Sequence, residues 1–216
     1  MAKKSKAIVK SSTALTGSVS KARKELVLRG LTALSKDSEE KLSKRRVITL
    51  RSSYKKLSVS EVQSMPNVSI REKDNWGFYG HSTIKHDYSL KAVSGDVVVV
   101  DNATGLMWHQ SGSDEMSWDE AKEWVEDLNS EEGYAGYQDW RLPTVDEAVS
   151  LLESSEKNGD LYIDPVFSKK QRWIWTGDKF EDEDGSEAAW RVLFYSGRVH
   201  WYDLLNCNVR PVRSVE

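Results

Sequence analysis

An α+β domain is predicted for most of this chain, because two capped helices come before a series of antiparallel strand patterns. Each helix opens with Ser or Thr three residues before Glu, and apolar residues follow at helical spacing. The strand patterns alternate apolar and polar residues around glycine-containing turns. We expect this domain at residues 67–216, after a flexible basic tail (1–19) and a short helical arm (20–66).

Charge separates the arm from the domain. The first sixty residues hold 16 Lys and Arg against 4 Asp and Glu, whereas the remainder holds 15 against 30. All nine Trp residues lie between Trp76 and Trp201, so the arm has little with which to build a core. A basic arm of this kind contacts an acidic partner, mediates self-assembly, or remains a solvated lead-in.

Three short helices are predicted in the arm. The first covers residues 21–36, the second opens at Asp37, and the third opens at Ser58 and ends before Pro66. Their apolar stripes are narrow, so each needs a partner surface.

The domain begins with strands. Two β-rich runs meet at Ser94-Gly95-Asp96, and a second turn leads into Leu106-Met107-Trp108. The two capped helices open at Ser117 and Thr144, and the β-like run "RWIWTG" follows.

Cellular location is predicted from what the sequence lacks. The cationic N-terminus has no apolar core of a secretory signal, and no apolar run is long enough to span a membrane. A single cysteine, Cys207, excludes an internal disulfide framework. We therefore expect a soluble, cytoplasmic protein.

Five motifs occur in order in the second half of the chain. They are "DNATGLMW", Trp118 with an acidic helix, "YAGYQDWRLPTVDEA", "IWTGD" and the closing "VRPVR". From about Gly95 to Arg213 the chain resembles the Lcl C-terminal domain family, named from a collagen-like bacterial adhesin. The resemblance implies a C-type-lectin-like fold, related to the formylglycine-generating enzyme and sulfatase-modifying group. Within these motifs we expect Trp140 to be buried and Arg141 to bind backbone carbonyls or a carboxylate.

No catalytic residue, cofactor or metal ligand is predicted. Formylglycine-generating enzymes use a cysteine pair, and this chain has Cys207 alone. The four His residues lack the short spacing of a metal site, apart from His81 and His86 in a loop-like segment. The acidic run 181–184 is more typical of a solvated loop than of a calcium site.

The segment "WRVLFYSGRVHWY" predicts a hairpin with two unlike faces. A two-residue turn at Ser196-Gly197 pairs Phe194 with Val199 and Val192 with Trp201, which makes one face apolar core. The opposite face combines Tyr, Arg and His side chains, which are typical of recognition surfaces. The predicted ligand-binding residues are Arg191, Leu193, Tyr195, Arg198, His200 and Tyr202, with Leu204, Leu205, Asn206, Cys207 and Asn208 from the segment that follows.

Composition adds a hypothesis about this surface. Residues 188–215 contain no Lys, Glu, Gln or Met, a bias that resembles the variable region of proteins diversified by retroelements. The sequence thus predicts a non-enzymatic module that binds a protein or other ligand through a diversified surface. An oligomeric structural subunit and a metal-dependent enzyme of the formylglycine-generating superfamily are the alternatives.

Overall fold

A computed structural model describes residues 47–180, 188–202 and 206–215. All of these residues belong to one compact unit, Val47–Glu216. The tail (1–19) and the helices predicted at 21–36 and from Asp37 lie outside the described residues.

Six strands form the larger sheet, which curls into a half-barrel. Their order is β1-β7-β8-β9-β3-β2, and every neighbouring pair is antiparallel except β1 with β7. The strands are β1 (Lys56–Leu57), β2 (Val68–Asp74), β3 (Gly77–Ser82), β7 (Trp173–Phe180), β8 (Ala189–Leu193) and β9 (Arg198–Tyr202).

The smaller sheet has four antiparallel strands in the order β10-β6-β5-β4. They are β4 (Tyr88–Val93), β5 (Asp96–Asp101), β6 (Leu106–His109) and β10 (Val212–Ser214). The turn predicted between β4 and β5 is confirmed, since Val93 pairs with Asp96. Ser94 and Gly95 both have positive φ angles, 52° and 93°, as a tight two-residue hairpin requires.

Three helices are described: α1 (Val59–Val62), α2 (Trp118–Leu128) and α3 (Val145–Ser150). Ser58, Ser117 and Thr144 cap them, and each accepts a hydrogen bond from the backbone of the Glu three residues on. The capping boxes predicted at these positions are therefore confirmed.

The predicted fold class is wrong. The described residues are mostly β, with 38% in strands and 13% in helices; the strands form two sheets, and this is not clearly a C-type-lectin-like α+β fold. Strand β2 comes from a charged stretch without clear alternation, and β3 contains two glycines and no aliphatic residue, so neither strand was evident from sequence. The helix that Thr144 caps has only six residues, so the two helices predicted from capping boxes account for a smaller part of the structure than we expected from sequence.

Both faces of the larger sheet are covered around β7 and β8. One face packs against α3 and the smaller sheet in the main core, which contains Trp108, Val145 and Trp190. On the other face, α2 packs through Ala121 and Val125 in a second apolar cluster that also contains Trp175, Ala189 and Cys207.

Residues 47–57, here called the strap, are attached to the same unit. Arg51 forms ion pairs with Asp146 and with the fully buried Asp178. The Leu57 carbonyl accepts a hydrogen bond from the Trp190 indole at 3.1 Å, and Leu57 itself is buried in the main core. The strap was assigned to the arm from sequence, yet its contacts are with the domain.

Candidate binding surface on the C-terminal hairpin

The predicted hairpin forms, but its loop is longer than expected. Val192 pairs with Val199 and Trp190 with Trp201, so four residues (194–197) make the turn instead of two. The backbone of Phe194 is bonded outside the hairpin, to Arg172 and Tyr162. The predicted pairing of Phe194 with Val199 is therefore wrong by two positions, a shift that leaves every side chain on its expected face.

The apolar face is confirmed. Trp190, Val192, Phe194 and Val199 are fully buried in the main core. Trp201 is only partly buried, and its indole stacks on Phe180 with ring centroids 4.1 Å apart.

The opposite face is less exposed than expected. Arg191, Leu193 and His200 are buried, whereas Arg198 and Tyr202 are half-buried and Tyr195 is 40% exposed. All of them except Tyr195, which lies in the loop, are on the adjacent strands β8 and β9, and they form two groups, one around Arg191 and one around Arg198.

In the Arg191 group, the side chains contact one another and not solvent-exposed partners. Arg191 contacts the His200 Nε2 at 3.0 Å and the Cys207 Sγ at 3.7 Å, and its guanidinium lies 4.6 Å from the centre of the Tyr202 ring. His200 Nδ1 lies 3.0 Å from the Trp201 carbonyl, so Nδ1 donates and Nε2 accepts. Burial, followed by the nearby Arg191 and Arg198, lowers the pKa of His200 to about 4.

The second group is a row of side chains that crosses four strands. Trp173, Leu193, Arg198 and Tyr79 occupy successive paired positions on β7, β8, β9 and β3. Arg198 donates to Asp74 at 2.6 Å, and its guanidinium lies 5.1 Å from the Tyr79 ring centre.

Tyr195 extends this row from the hairpin loop. Its ring meets the Trp173 ring edge-on at 5.7 Å, and the Arg172 guanidinium lies 5.6 Å from the ring centre. We call Tyr79, Arg172, Trp173, Tyr195 and Arg198 the aromatic–arginine surface.

The segment after the hairpin is only partly described, since Leu204 and Leu205 lie outside the described residues. Asn206 is exposed, whereas Cys207 and Asn208 are buried. Cys207 exchanges two backbone hydrogen bonds with Met116, and Asn208 bonds to the backbone of Trp173 and Trp175. Cys207 and Asn208 are therefore fixed in the fold.

Sequence reasoning missed three members of the aromatic–arginine surface, Tyr79, Arg172 and Trp173. The only usable signal was the β-like run that contains Trp173, and nothing in the sequence placed it beside Tyr195. Tyr79 lies in β3, a strand that was not predicted.

The described residues hold neither a cluster of metal-ligating side chains nor a helix that could span a membrane. Within residues 47–180, 188–202 and 206–215, no group of three or more His, Cys, Asp and Glu side chains could hold a metal ion. The acidic run 181–184 lies outside these ranges. No helix in the described part of the chain combines the length and apolarity needed to cross a membrane.

The motifs that carry the family resemblance form contacts with one another inside the fold. Arg213 donates to Asp139 at 2.6 Å, and Arg141 and Val212 exchange backbone hydrogen bonds, so "DWRLP" and "VRPVR" pair with each other. Arg141 also donates to both carboxylate oxygens of the buried Glu147, at 2.6 and 2.7 Å, and to the Leu142 carbonyl. The structural role predicted for Arg141 is confirmed.

"DNATG" has a similar role at the turn after β5. The Asp101 carboxylate accepts from the Ala103 backbone at 3.1 Å and the Thr104 hydroxyl at 2.5 Å, and it contacts the His86 ring at 2.7 Å. Burial raises the pKa of Asp101, but the hydrogen bonds from His86 and Thr104 outweigh it and the net shift is downward.

These paired motifs lie within the part of the chain that a family model matches. No curated protein and no solved structure matches the chain. The model of the Lcl C-terminal domain covers residues 97–213, more than half of the sequence, and the chain belongs to this family.

Proposed function

We propose that this protein is a non-catalytic binding domain that recognises a protein partner through the aromatic–arginine surface. The observation that carries the proposal is the row Trp173–Leu193–Arg198–Tyr79, which crosses four adjacent strands. Trp, Tyr and Arg dominate the residues that supply binding energy at protein interfaces. Here their side chains are already held by ring contacts and ion pairs, so little conformational entropy is lost on binding.

Cys207 and His200, the residue types near this surface that could act in catalysis, are in environments that disfavour it. Burial raises the pKa of the Cys207 thiol to about 11, with Arg191 acting weakly in the opposite direction, and a thiol is a poor nucleophile in that state. His200 is held between Arg191 and its neighbour's carbonyl, so neither ring nitrogen is available as a general base. The unpaired, buried thiol is compatible with the cytoplasmic location expected from sequence.

We retain the hypothesis that retroelements diversify this surface, but for fewer positions than the sequence predicted. Variation among related copies should fall on the accessible positions Tyr195, Arg198, Tyr202 and Asn206. Arg191, Leu193, His200, Cys207 and Asn208 are buried, and exchanging them would disturb the fold. Sequencing sibling genes tests this, and variation spread evenly along the chain would contradict it.

The rival function is self-association through the same surface. Sedimentation velocity of the full chain and of Tyr195→Ala distinguishes the two. A monomeric wild-type protein supports the binding domain, and an oligomer that dissociates on this substitution supports the structural subunit.

The partner itself is sought by capture on immobilised protein from a lysate of the source cells. Tyr195→Ala and Arg198→Ala should each reduce capture at least about tenfold, because hot-spot truncations cost about 2 kcal/mol or more. Leu90→Ala and Lys91→Ala on β4 are matched controls, since both residues are exposed and lie on the other sheet. Equal capture by all four variants would reject this surface.

A further inference from the structure

A pocket of about 600 Å³ lies where the strap, α2 and β7 meet. Trp118, Lys122 and Val125 of α2 line it, together with the C-cap residue Asn129, and spacings of four, three and four place them on one helix face. We call it the tryptophan–lysine pocket. None of its lining residues belongs to the aromatic–arginine surface.

The strap wall of this pocket is held in place. The Tyr54 hydroxyl donates to the Leu142 carbonyl at 3.0 Å, and its ring packs directly on Gly177, where an added Cβ would lie 2.1 Å from the ring. Burial raises the pKa of Tyr54 to about 12, so the hydroxyl remains a donor at neutral pH. Three residues before Tyr54, the ion pairs of Arg51 with Asp146 and Asp178 also fix the strap.

Cations dominate the lining. They are Lys55, Lys56, Lys122, Arg141 and Lys179, and Glu126 is the one carboxylate among the described lining residues. This is a local reversal of charge, because residues 47–216 carry 30 Asp and Glu against 18 Lys and Arg.

Two of the ammonium groups lie over the Trp118 ring. The Nζ atoms of Lys122 and Lys179 lie 4.0 and 5.4 Å from the Trp118 ring centre. Arg141 is paired with the buried Glu147 and is therefore not available to a ligand. Lys122 is paired with the exposed Asp119, and such a surface ion pair contributes little stability in water. Lys55 and Lys56 take part in none of the ion pairs found among the described residues.

We propose that the tryptophan–lysine pocket binds a small organic anion. The carboxylate, sulfonate or phosphate group of the ligand contacts the ammonium groups of Lys55, Lys56 and Lys122. Its apolar body packs against Val125, Leu142 and Tyr54. A volume of about 600 Å³ suits a ligand of drug-like size, whereas a protein partner needs a wider and flatter surface.

Anilinonaphthalene sulfonate is a suitable probe, because it joins an aromatic body to one anionic group and fluoresces when bound. Phenylnaphthylamine is its uncharged counterpart. We expect the full chain to bind the sulfonate with a measurable Kd and at least about tenfold more tightly than the amine.

The double variant Lys56→Gln/Lys122→Gln should weaken sulfonate binding about tenfold and leave the amine unchanged, since two ammonium groups are lost. Lys91→Gln/Lys157→Gln is the matched control: both lysines are exposed, and Lys157 pairs with Glu153 as Lys122 pairs with Asp119. Asp119→Asn should tighten sulfonate binding, because it releases Lys122.

Equal affinity for the two probes would overturn the proposal, and so would an unchanged sulfonate Kd in the pocket variant with its near-UV circular dichroism intact. Tyr195→Ala and Arg198→Ala should leave the sulfonate Kd unchanged. Failure of the protein-binding proposal therefore does not affect this result, and the reverse also holds.

Discussion

The guanidinium of Arg191 and the imidazole of His200 are in contact, with 3.0 Å between Nη2 and Nε2. Because the arginine donates, the histidine must accept through Nε2 and therefore remain neutral. A protonated His200 would lose this hydrogen bond and place two positive charges side by side in a buried site.

Stability should consequently fall on mild acidification. In an unfolded chain His200 titrates near pH 6.5, but its pKa in the fold is lowered to about 4 by burial and by Arg191. Between these values the unfolded state binds the extra proton, so the contribution is complete above pH 6.5 and is lost as the pH falls towards 4. We expect a loss of about 3 kcal/mol from this residue, since each pKa unit corresponds to about 1.4 kcal/mol.

Urea denaturation between pH 4 and 7.5 measures this effect. His200→Gln keeps an acceptor near Nε2 but cannot be protonated, so its stability should depend less steeply on pH. Some dependence remains, because the pKa of His109 is also lowered to about 4, by burial and by Arg210. Parallel pH profiles for the wild type and His200→Gln would contradict the assignment.

Trp190 and Trp201 should differ in their contribution to stability, although they are paired on the same face. Trp190 is fully buried, and truncating it to Ala should cost about 3–5 kcal/mol. Trp201 is partly exposed and stacks on Phe180, so Trp201→Ala should cost about 2 kcal/mol. Chemical denaturation of both variants gives the comparison, and a larger loss at Trp201 would mean that the register is different.

Glu147 should be among the least replaceable residues outside the apolar core. It is fully buried and accepts from Arg141 and from the Thr144 backbone, so Glu147→Ala leaves the partly buried Arg141 guanidinium without its carboxylate partner. We expect a loss of about 3 kcal/mol or more. The double variant Arg141→Met/Glu147→Ala should lose less stability than Arg141→Met and Glu147→Ala lose in sum, and additive losses in this double-mutant cycle would show that the pair is not coupled.

Truncation should locate the start of the folded unit. A chain that begins at Val47 should unfold cooperatively in a thermal melt, since it keeps the strap with Leu57 and the Arg51 ion pairs. A chain that begins at Ser69 loses these groups and Val62, which is also buried in the main core. It should therefore not fold, and a cooperative melt for it would show that the strap is dispensable.

Local signals in the sequence were reliable. The capping boxes at Ser58, Ser117 and Thr144 and the turn at Ser94-Gly95 each depend on a few neighbouring residues, and all four are present in the structure. The fold class was not predictable in the same way. It depends on β2, whose residues are mostly polar or exposed, and on β3, which has two glycines and no aliphatic residue. It also depends on β1, a strand of two residues that only its distant partner defines.

For the candidate surface, the alternation of residues gave the correct faces but not their burial. The period-two alternation predicts that the side chains of Trp190 and Arg191 point to opposite faces of the sheet. It contains no information on what covers each face, and in the structure Cys207 and α2 cover the face of Arg191. The loop length failed for a related reason, since Phe194 is held by hydrogen bonds to Arg172 and Tyr162 that come from other parts of the chain.

The strand order also has a consequence for how the protein is made. Val212 of β10 pairs with Trp108, and Leu57 of β1 pairs with Phe180, so both sheets join segments from distant parts of the unit. Topologies dominated by such non-local pairs fold slowly, because long loops must close before their contacts form. During synthesis, β6 is left as an unpaired edge on one side until the residues around Val212 have left the ribosome. Throughout that interval the growing chain is exposed to aggregation, and demand for chaperones should be highest then.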